Sequence, residues 1–247
     1  MTTMDVKWVG FDYGQCIMEP GGLRNPLVLG DICKLLGEPE MAAERIHRYR
    51  RLREMYGEYS KIKEGHRDLI YSYVLDGITE AQELFSQKEQ QYLDMGDGLE
   101  DALQWIQDQG MELQVVSEMK KTMGPVGSDI VSRFLKRRGL TRFFPTMITP
   151  QGKMDIVSDA IIDESYIGRT KEKGDIYDRL AEDLRSRGIE PEEAVMVGDK
   201  PSTDIDPAHA RGFKTIKYTG FIDLGPSDAD IEIEHFSELK DILRKKG

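Results

Sequence analysis

The sequence predicts an α/β fold: a doubly wound, Rossmann-like parallel sheet with an inserted all-helical domain after its first strand. Three observations predict it. Short apolar runs at residues 6–11, 113–116 and 194–197 alternate with amphipathic stretches, as buried parallel strands alternate with covering helices. These runs end on Asp12, Ser117 and Gly198-Asp199, polar residues delivered to strand tips. From about residue 25 to 95 the strand pattern is absent and only helix-spaced apolar residues remain.

The elements follow in order. Residues 6–11 read as one buried strand, and Pro20, Gly21, Gly22 and Pro26 then break the chain. Ala42, Ile46, Tyr49, Leu52 and Tyr56 share one helical face; Leu69, Ile70, Tyr73 and Val74 mark another. Gly37, Pro39, Gly57 and Gly77 separate such stretches, giving about four helices whose core takes Tyr49, Tyr56, Tyr71 and Tyr73. Leu99, Ala102, Leu103 and Ile106 form a helix face closed by Gly110, and the strand 113–116 follows. Ile130, Val131, Phe134 and Leu135 predict a helix closed by Gly139, then a strand at 146–149. Segment 150–170 reads either as an extra β-hairpin on the sheet or as a surface loop. Ile176, Tyr177, Leu180, Ala181 and Leu184 predict a helix closed by Gly188, before the strand 194–197. A short helix carries Ala208 and Ala210, strands follow at 213–218 and 231–233, and a last helix runs through Leu239 and Leu243. The domains are therefore expected at 1–18 with 96–247, and at 19–95.

The chain has 247 residues, enough for this organisation without disulfides, and 39% of them are hydrophobic and 32% charged. With 34 Lys and Arg against 45 Asp and Glu, the net charge of −11 argues against a nucleic-acid backbone as the main partner. It does not bar a small anion from a locally positive cleft. Cys16 and Cys33 match no metal spacing and no disulfide scaffold, which predicts a reducing compartment. No run approaches the ~20 apolar residues of a membrane span, so a cytoplasmic protein without membrane contact is expected. Oligomeric state leaves no trace in the pattern.

In open parallel sheets ligands bind beyond the carboxyl ends of the strands. The informative residues there run Asp12, Ser117, Lys171, then Gly198-Asp199-Lys200-Pro201-Ser202-Thr203-Asp204. The parts fit one mechanism. A strand-tip carboxylate, Asp12, can attack phosphorus and form an aspartyl-phosphate. A Mg²⁺ on the hard oxygens of Asp12 and Asp199, with Asp204 nearby, would neutralise the developing charge. Ser117 and Lys171 would clamp the phosphoryl oxygens, and Lys171 would lower the repulsion among the carboxylates.

These residues, in this order, resemble the haloacid dehalogenase-like superfamily of phosphotransferases. The resemblance rests on the Asp12 strand, the helical insertion, Ser117, Lys171 to Tyr177, and Gly198-Asp199 with Thr203-Asp204-Ile205; the last motif is the most specific. It implies that the helical block is the family's cap, that the backbone carbonyl at Gly14 joins Asp12, Asp199 and Asp204 around Mg²⁺, and that the substrate is a small phosphorylated metabolite. One position departs from the family pattern. Most phosphatase members read Asp-x-Asp-Gly-Thr, whereas this chain reads Asp12-Tyr13-Gly14-Gln15-Cys16. Gly14 stands where the family has its general acid/base, whose loss typically costs ~10²–10⁴ in rate. A good leaving group, such as an acyl phosphate or phosphoanhydride, depends on that acid least.

Other readings stay open at this stage. The altered loop also fits a catalytically impaired binding or regulatory protein. Members without the second aspartate include phosphonoacetaldehyde hydrolases, for which Lys61 or Lys63 could form the Schiff base, and metal-free dehalogenases. Ser117 also reads as a turn serine and Asp204 as a first-turn acid. Lys171 has rivals in Arg169 and Lys173. For substrate binding the candidates are Lys120, Lys121 and Arg48, although the run Arg45, Arg48, Arg50, Arg51 and Arg53 also reads as a solvated helix face. Cys16 is expected buried and inert, and His47, His66, His209 and His235 structural.

Overall fold

The computed structural model describes residues 2–118 and 130–247. The chain divides into two compact units, Met1–Met18 with Met95–Gly247, and Glu19–Asp94.

In the first unit the apolar runs become strands, named here β1 (Met4–Val6), β2 (Trp8–Phe11), β3 (Glu112–Val116), β4 (Thr146–Thr149), β5 (Gly152–Asp155), β6 (Ile161–Asp163), β7 (Ala194–Gly198), β8 (Lys214–Tyr218), β9 (Ile231–Ile233) and β10 (Leu243–Lys245). An eight-stranded sheet has the order β6-β5-β4-β3-β2-β7-β8-β9. The strands from β4 to β9 in that order are parallel. β2 and β7 are buried at every position, which is why their sequences are apolar throughout rather than alternating. Trp8 lies opposite Glu112 on one side and Ala194 on the other. The chain leaves β2 toward β3 and later returns to β7 on its other flank. The order therefore reverses at β2, and a crevice at the tips of β2 and β7 is where such sheets place their ligands.

Helices cover the sheet with the faces that their spacing predicts. Leu99–Asp108 buries Leu99, Ala102, Leu103 and Ile106, with Glu100 and Asp101 in the first turn where the helix dipole favours anions. Asp175–Ser186 buries Ile176, Tyr177, Leu180, Ala181 and Leu184 in one cluster with Trp8, Met196 and Phe213.

Two expectations are corrected. The first strand is not continuous. Lys7 turns aside, its N–H donating to the Glu193 carbonyl at 2.7 Å and its ammonium meeting the Glu193 carboxylate at 3.1 Å. β1 thereby leaves the large sheet and pairs in parallel with β10. The last helix stops at Ile242, because Leu243 already belongs to β10. The undecided segment 150–170 contains the hairpin: β5 runs antiparallel to β4, and β6 to β5, with a register irregularity at Lys153/Met154.

The second unit is helical, with α-helices at Asn25–Leu35, Ala42–Tyr56, Tyr59–Gly65 and Thr79–Tyr92. A short helix at Arg67–Leu69 runs into a π-turn at Ile70–Val74. Val28, Ile32, Tyr49, Leu52, Ile62 and Phe85 share its core. Tyr49 is buried there, as expected, its hydroxyl donating to the Gly22 carbonyl at 3.0 Å. Arg45 corrects the picture of a wholly solvated arginine face. It is 1% exposed, and its guanidinium donates to Glu38 at 3.0 Å and to Asp76 and the Cys33 sulfur at 3.4 Å.

The centre of the sheet depends on a missing side chain. A Cβ added at Gly10 would lie 2.3 Å from the ring of Trp8, which folds across that position. Gly10→Val should push the indole out of the core. That should lower stability by about 1–3 kcal/mol in urea unfolding and shift tryptophan emission to longer wavelength. An unchanged midpoint and spectrum would show that the ring does not lie there.

Candidate active site

At the tip of β2, the Asp12 backbone N–H donates to the Val197 carbonyl at 2.8 Å, which carries the alignment with β7 one residue past the strand. Asp199 follows β7 directly. The next residues form a π-turn, Pro201–Ile205, that folds Asp204 back over the strand end. Gly198 makes this possible, since a Cβ there would sit 2.4 Å from the Asp204 Cβ. Asp204 is then fixed from several sides. The Lys200 N–H donates to its Oδ2 at 3.0 Å and the Thr203 hydroxyl to its Oδ1 at 3.2 Å. Tyr177, buried on the helix 175–186, donates its hydroxyl to the Thr203 carbonyl at 2.8 Å and anchors the turn.

Lys171 completes the site. It is 0% exposed, and its ammonium donates to Oδ1 of Asp12 at 2.5 Å and Oδ1 of Asp204 at 2.7 Å. Among the described residues Asp12, Asp199 and Asp204 form a potential metal-binding group, with one oxygen from each lying within 4.8 Å of the others. Three carboxylates against one ammonium sum to −3 + 1 = −2 when all are ionised. A divalent cation would cancel that sum, and an all-oxygen donor set suits a hard ion.

The electrostatics follow from burial and from this imbalance. Burial, and then the Asp204 charge, push Asp12 up to about 7 despite the opposing pull of Lys171. Burial, and then Asp12 and Asp204, push Asp199 up to about 8. Burial opposes the Lys171 charge, yet Asp12 and Asp204 together hold its ammonium well above the usual range. The raised acids and the raised lysine are compatible: the ammonium stays charged, and protons collect on carboxylates that one cation cannot serve.

The structure brings Asp12, Lys171, Asp199 and Asp204 together. Ser117 is buried at the tip of β3, its N–H donating to the Ile148 carbonyl at 2.9 Å. Of the rivals of Lys171, Arg169 donates from its guanidinium to the Ser165 carbonyl at 2.8 Å, and Lys173 is exposed. Gly14 forms an isolated bridge with Met18, and among the described residues a Cβ added to it would meet nothing within 4 Å. Cys16 is fully buried with its thiol toward the Val197 carbonyl; burial and the acids Asp12, Asp199 and Asp204 push the thiol well up, which agrees with an inert sulfur.

Arg48 lies in the helical unit, where its guanidinium donates to Glu44, Asp76 and the Tyr73 carbonyl. Lys120 and Lys121 lie outside the described residues. Lys63, one of the Schiff-base candidates, sits 3.6 Å from Glu89 and over the Tyr59 ring. The sequence reading passed over Glu118, whose carboxylate accepts the Lys171 N–H at 2.5 Å. Nothing in the local pattern marks a contact across 53 positions.

Comparison with known proteins agrees with this architecture. A family model described as HAD-hydrolase-like, that is, haloacid dehalogenase-like, matches residues 169–224, the stretch that carries Lys171, Asp199 and Asp204. A Clostridium perfringens protein named “Putative pyrophosphatase PpaX” is 29% identical over 147 residues, which spans 58% of this chain and 57% of that relative's length. The crystal structure of a HAD phosphatase from Thermococcus onnurineus superposes with a TM-score of 0.53 at 24% identity, over 96% of this chain and 97% of the other. The magnesium-bound structure of YfnB from Bacillus subtilis does so with 0.54 at 19%, over 96% and 98%. These structural likenesses establish the fold.

A pH dependence follows. Acids raised from 3.8 to about 7 and about 8 bind more protons folded than unfolded between those values. They therefore oppose folding increasingly as pH rises from about 4 to 8. A cation that binds only the ionised carboxylates should reverse this. The rise in melting temperature on adding millimolar Mg²⁺ should be larger at pH 8 than at pH 5. Equal increments at both pH values would contradict the raised acids.

Proposed function

We propose that this chain, a member of the haloacid dehalogenase-like superfamily, is a Mg²⁺-dependent phosphohydrolase that acts on a small phosphorylated metabolite through an aspartyl-phosphate on Asp12. The observation that carries the proposal is the meeting of Asp12, Asp199, Asp204 and Lys171 at the tips of β2 and β7. Asp12, Asp199 and Asp204 would hold the metal, with the Gly14 carbonyl as a further ligand. The ion would supply positive charge to the phosphoryl oxygens and to the attacking carboxylate.

The chain's own residues do the rest. A carboxylate oxygen of Asp12 forms the new bond to phosphorus while the bond to the leaving oxygen breaks, and the electron pair departs with the leaving group. Lys171 holds Oδ1 of Asp12 at 2.5 Å and so fixes the orientation of the nucleophile. The Ser117 hydroxyl and the Lys171 ammonium stabilise charge on the phosphoryl group. Water then attacks phosphorus, which releases phosphate and restores Asp12. The helical unit would serve as a cap that excludes water from the first step.

Gly14 sets the substrate class. With no carboxyl there, the leaving group departs without a proton from that position. Acyl phosphates and phosphoanhydrides, whose leaving groups are stable as anions, are then favoured over alkyl phosphates. The pyrophosphatase name of the 29% identical relative points the same way. Gly14 also supports a second reading, a binding or regulatory protein without turnover. Ligand-dependent thermal stabilisation without phosphate release from any substrate would favour it.

Asp12→Asn should abolish Mg²⁺-dependent phosphate release from acetyl phosphate and pyrophosphate, and EDTA should do the same to the unmodified protein. Hydrolysis that survives the substitution would remove Asp12 as nucleophile. At Gly14 an added Cβ meets nothing within 4 Å among the described residues, which suits Gly14→Asp. It should raise turnover of alkyl phosphates by about tenfold or more while changing acyl phosphate turnover little. A parallel change on both substrate types would refute the assignment of the leaving-group deficit to this position.

A further inference from the structure

Lys171 is held at both ends. Its ammonium lies between Asp12 and Asp204, while its own backbone N–H donates to Oε2 of Glu118 at 2.5 Å. Glu118 follows Ser117 at the tip of β3, so this bond joins the strand end that carries the hydroxyl to the loop that carries the ammonium. Among the described residues the loop is also braced from its far side. Asp175 accepts the Thr170 N–H at 2.6 Å, and the Gly174 N–H reaches the carbonyls of Thr170 at 3.1 Å and Lys171 at 2.9 Å. Those contacts shape the turn before the helix 175–186. They do not tie the loop to the sheet edge facing the phosphoryl site.

We propose that Glu118 is a positioning residue: by accepting the Lys171 N–H, its carboxylate fixes the Lys171 loop against the tip of β3 and so sets where the Lys171 ammonium sits relative to Ser117 and Asp12. A charged acceptor makes this bond roughly twice as strong as a neutral one. A buried ammonium shared by two carboxylates has little tolerance for displacement, since a shift of ~1 Å can cost ~10²-fold in rate. Glutamate at this place adds negative charge beside a phosphate site. The hydrogen bond from the Lys171 N–H sets that negative charge against a donor.

The kinetic arm of the test rests on the phosphohydrolase reading; a spectroscopic arm does not. Glu118→Ala should reduce kcat for acetyl phosphate by about 10–100-fold, with KM changed less than about threefold. Glu118→Gln, which keeps an acceptor of the same length, should recover most of that loss. In ¹H–¹⁵N spectra the Lys171 amide should lie downfield and exchange slowly. It should move upfield and exchange at least tenfold faster in Glu118→Ala, with Glu118→Gln between. Full activity and an unmoved amide in Glu118→Ala would overturn the proposal, and so would Glu118→Gln as impaired as Glu118→Ala. If the unmodified protein turns over no phosphate compound, the phosphohydrolase reading fails, and the Lys171 amide still decides the role of Glu118.

Discussion

The site depends on one buried ammonium. Lys171 is sealed from solvent, and taking such a charge out of water costs several kcal/mol unless the surroundings replace its hydration. Asp12 and Asp204 do so, and the ammonium in turn lowers the repulsion between them. Removing the ammonium would leave buried carboxylates facing each other across less than 4.8 Å. The interaction therefore fixes the nucleophile candidate, the turn after β7 and the loop before the helix 175–186 as one unit.

Backbone economy makes the cluster reachable. Gly198 admits the Asp204 side chain to a space that any Cβ would fill, and the π-turn at Pro201–Ile205 gives Asp204 the reach to use it. Tyr177 secures that turn from the helix beneath. The sheet order supplies the frame, because strands that depart to opposite sides of β2 leave a crevice at its tip, where side chains from β2 and the end of β7 can converge without competing main chain. The net negative formal charge left over is the feature that a divalent cation would answer.

The first loop and the Lys171 loop departed from expectation in different ways. Gly14 could be read directly from the sequence, and among the described residues a Cβ added there would meet nothing within 4 Å. Glu118 could not be singled out, because an acid after a strand-tip serine has no periodicity, spacing or composition to distinguish it. The hydrogen bond it accepts from the Lys171 N–H, across 53 positions, is what the fold adds.

The sequence by itself determined the α/β class, the helical insertion, and Asp12, Ser117, Lys171, Asp199 and Asp204 as the residues to watch. Each of these is written in local features: apolar runs of strand length, helix spacing such as that of Ile176, Leu180 and Leu184, and polar residues at the ends of runs. The tertiary structure alone decided the departure of β1 to pair with β10, the hairpin of β5 and β6, the burial of Arg45, the commitment of Arg48 to Asp76, and the hold of Glu118 on Lys171. These depend on contacts between residues far apart in the chain, and a side chain's partner at such distances is set by packing, which no local pattern records.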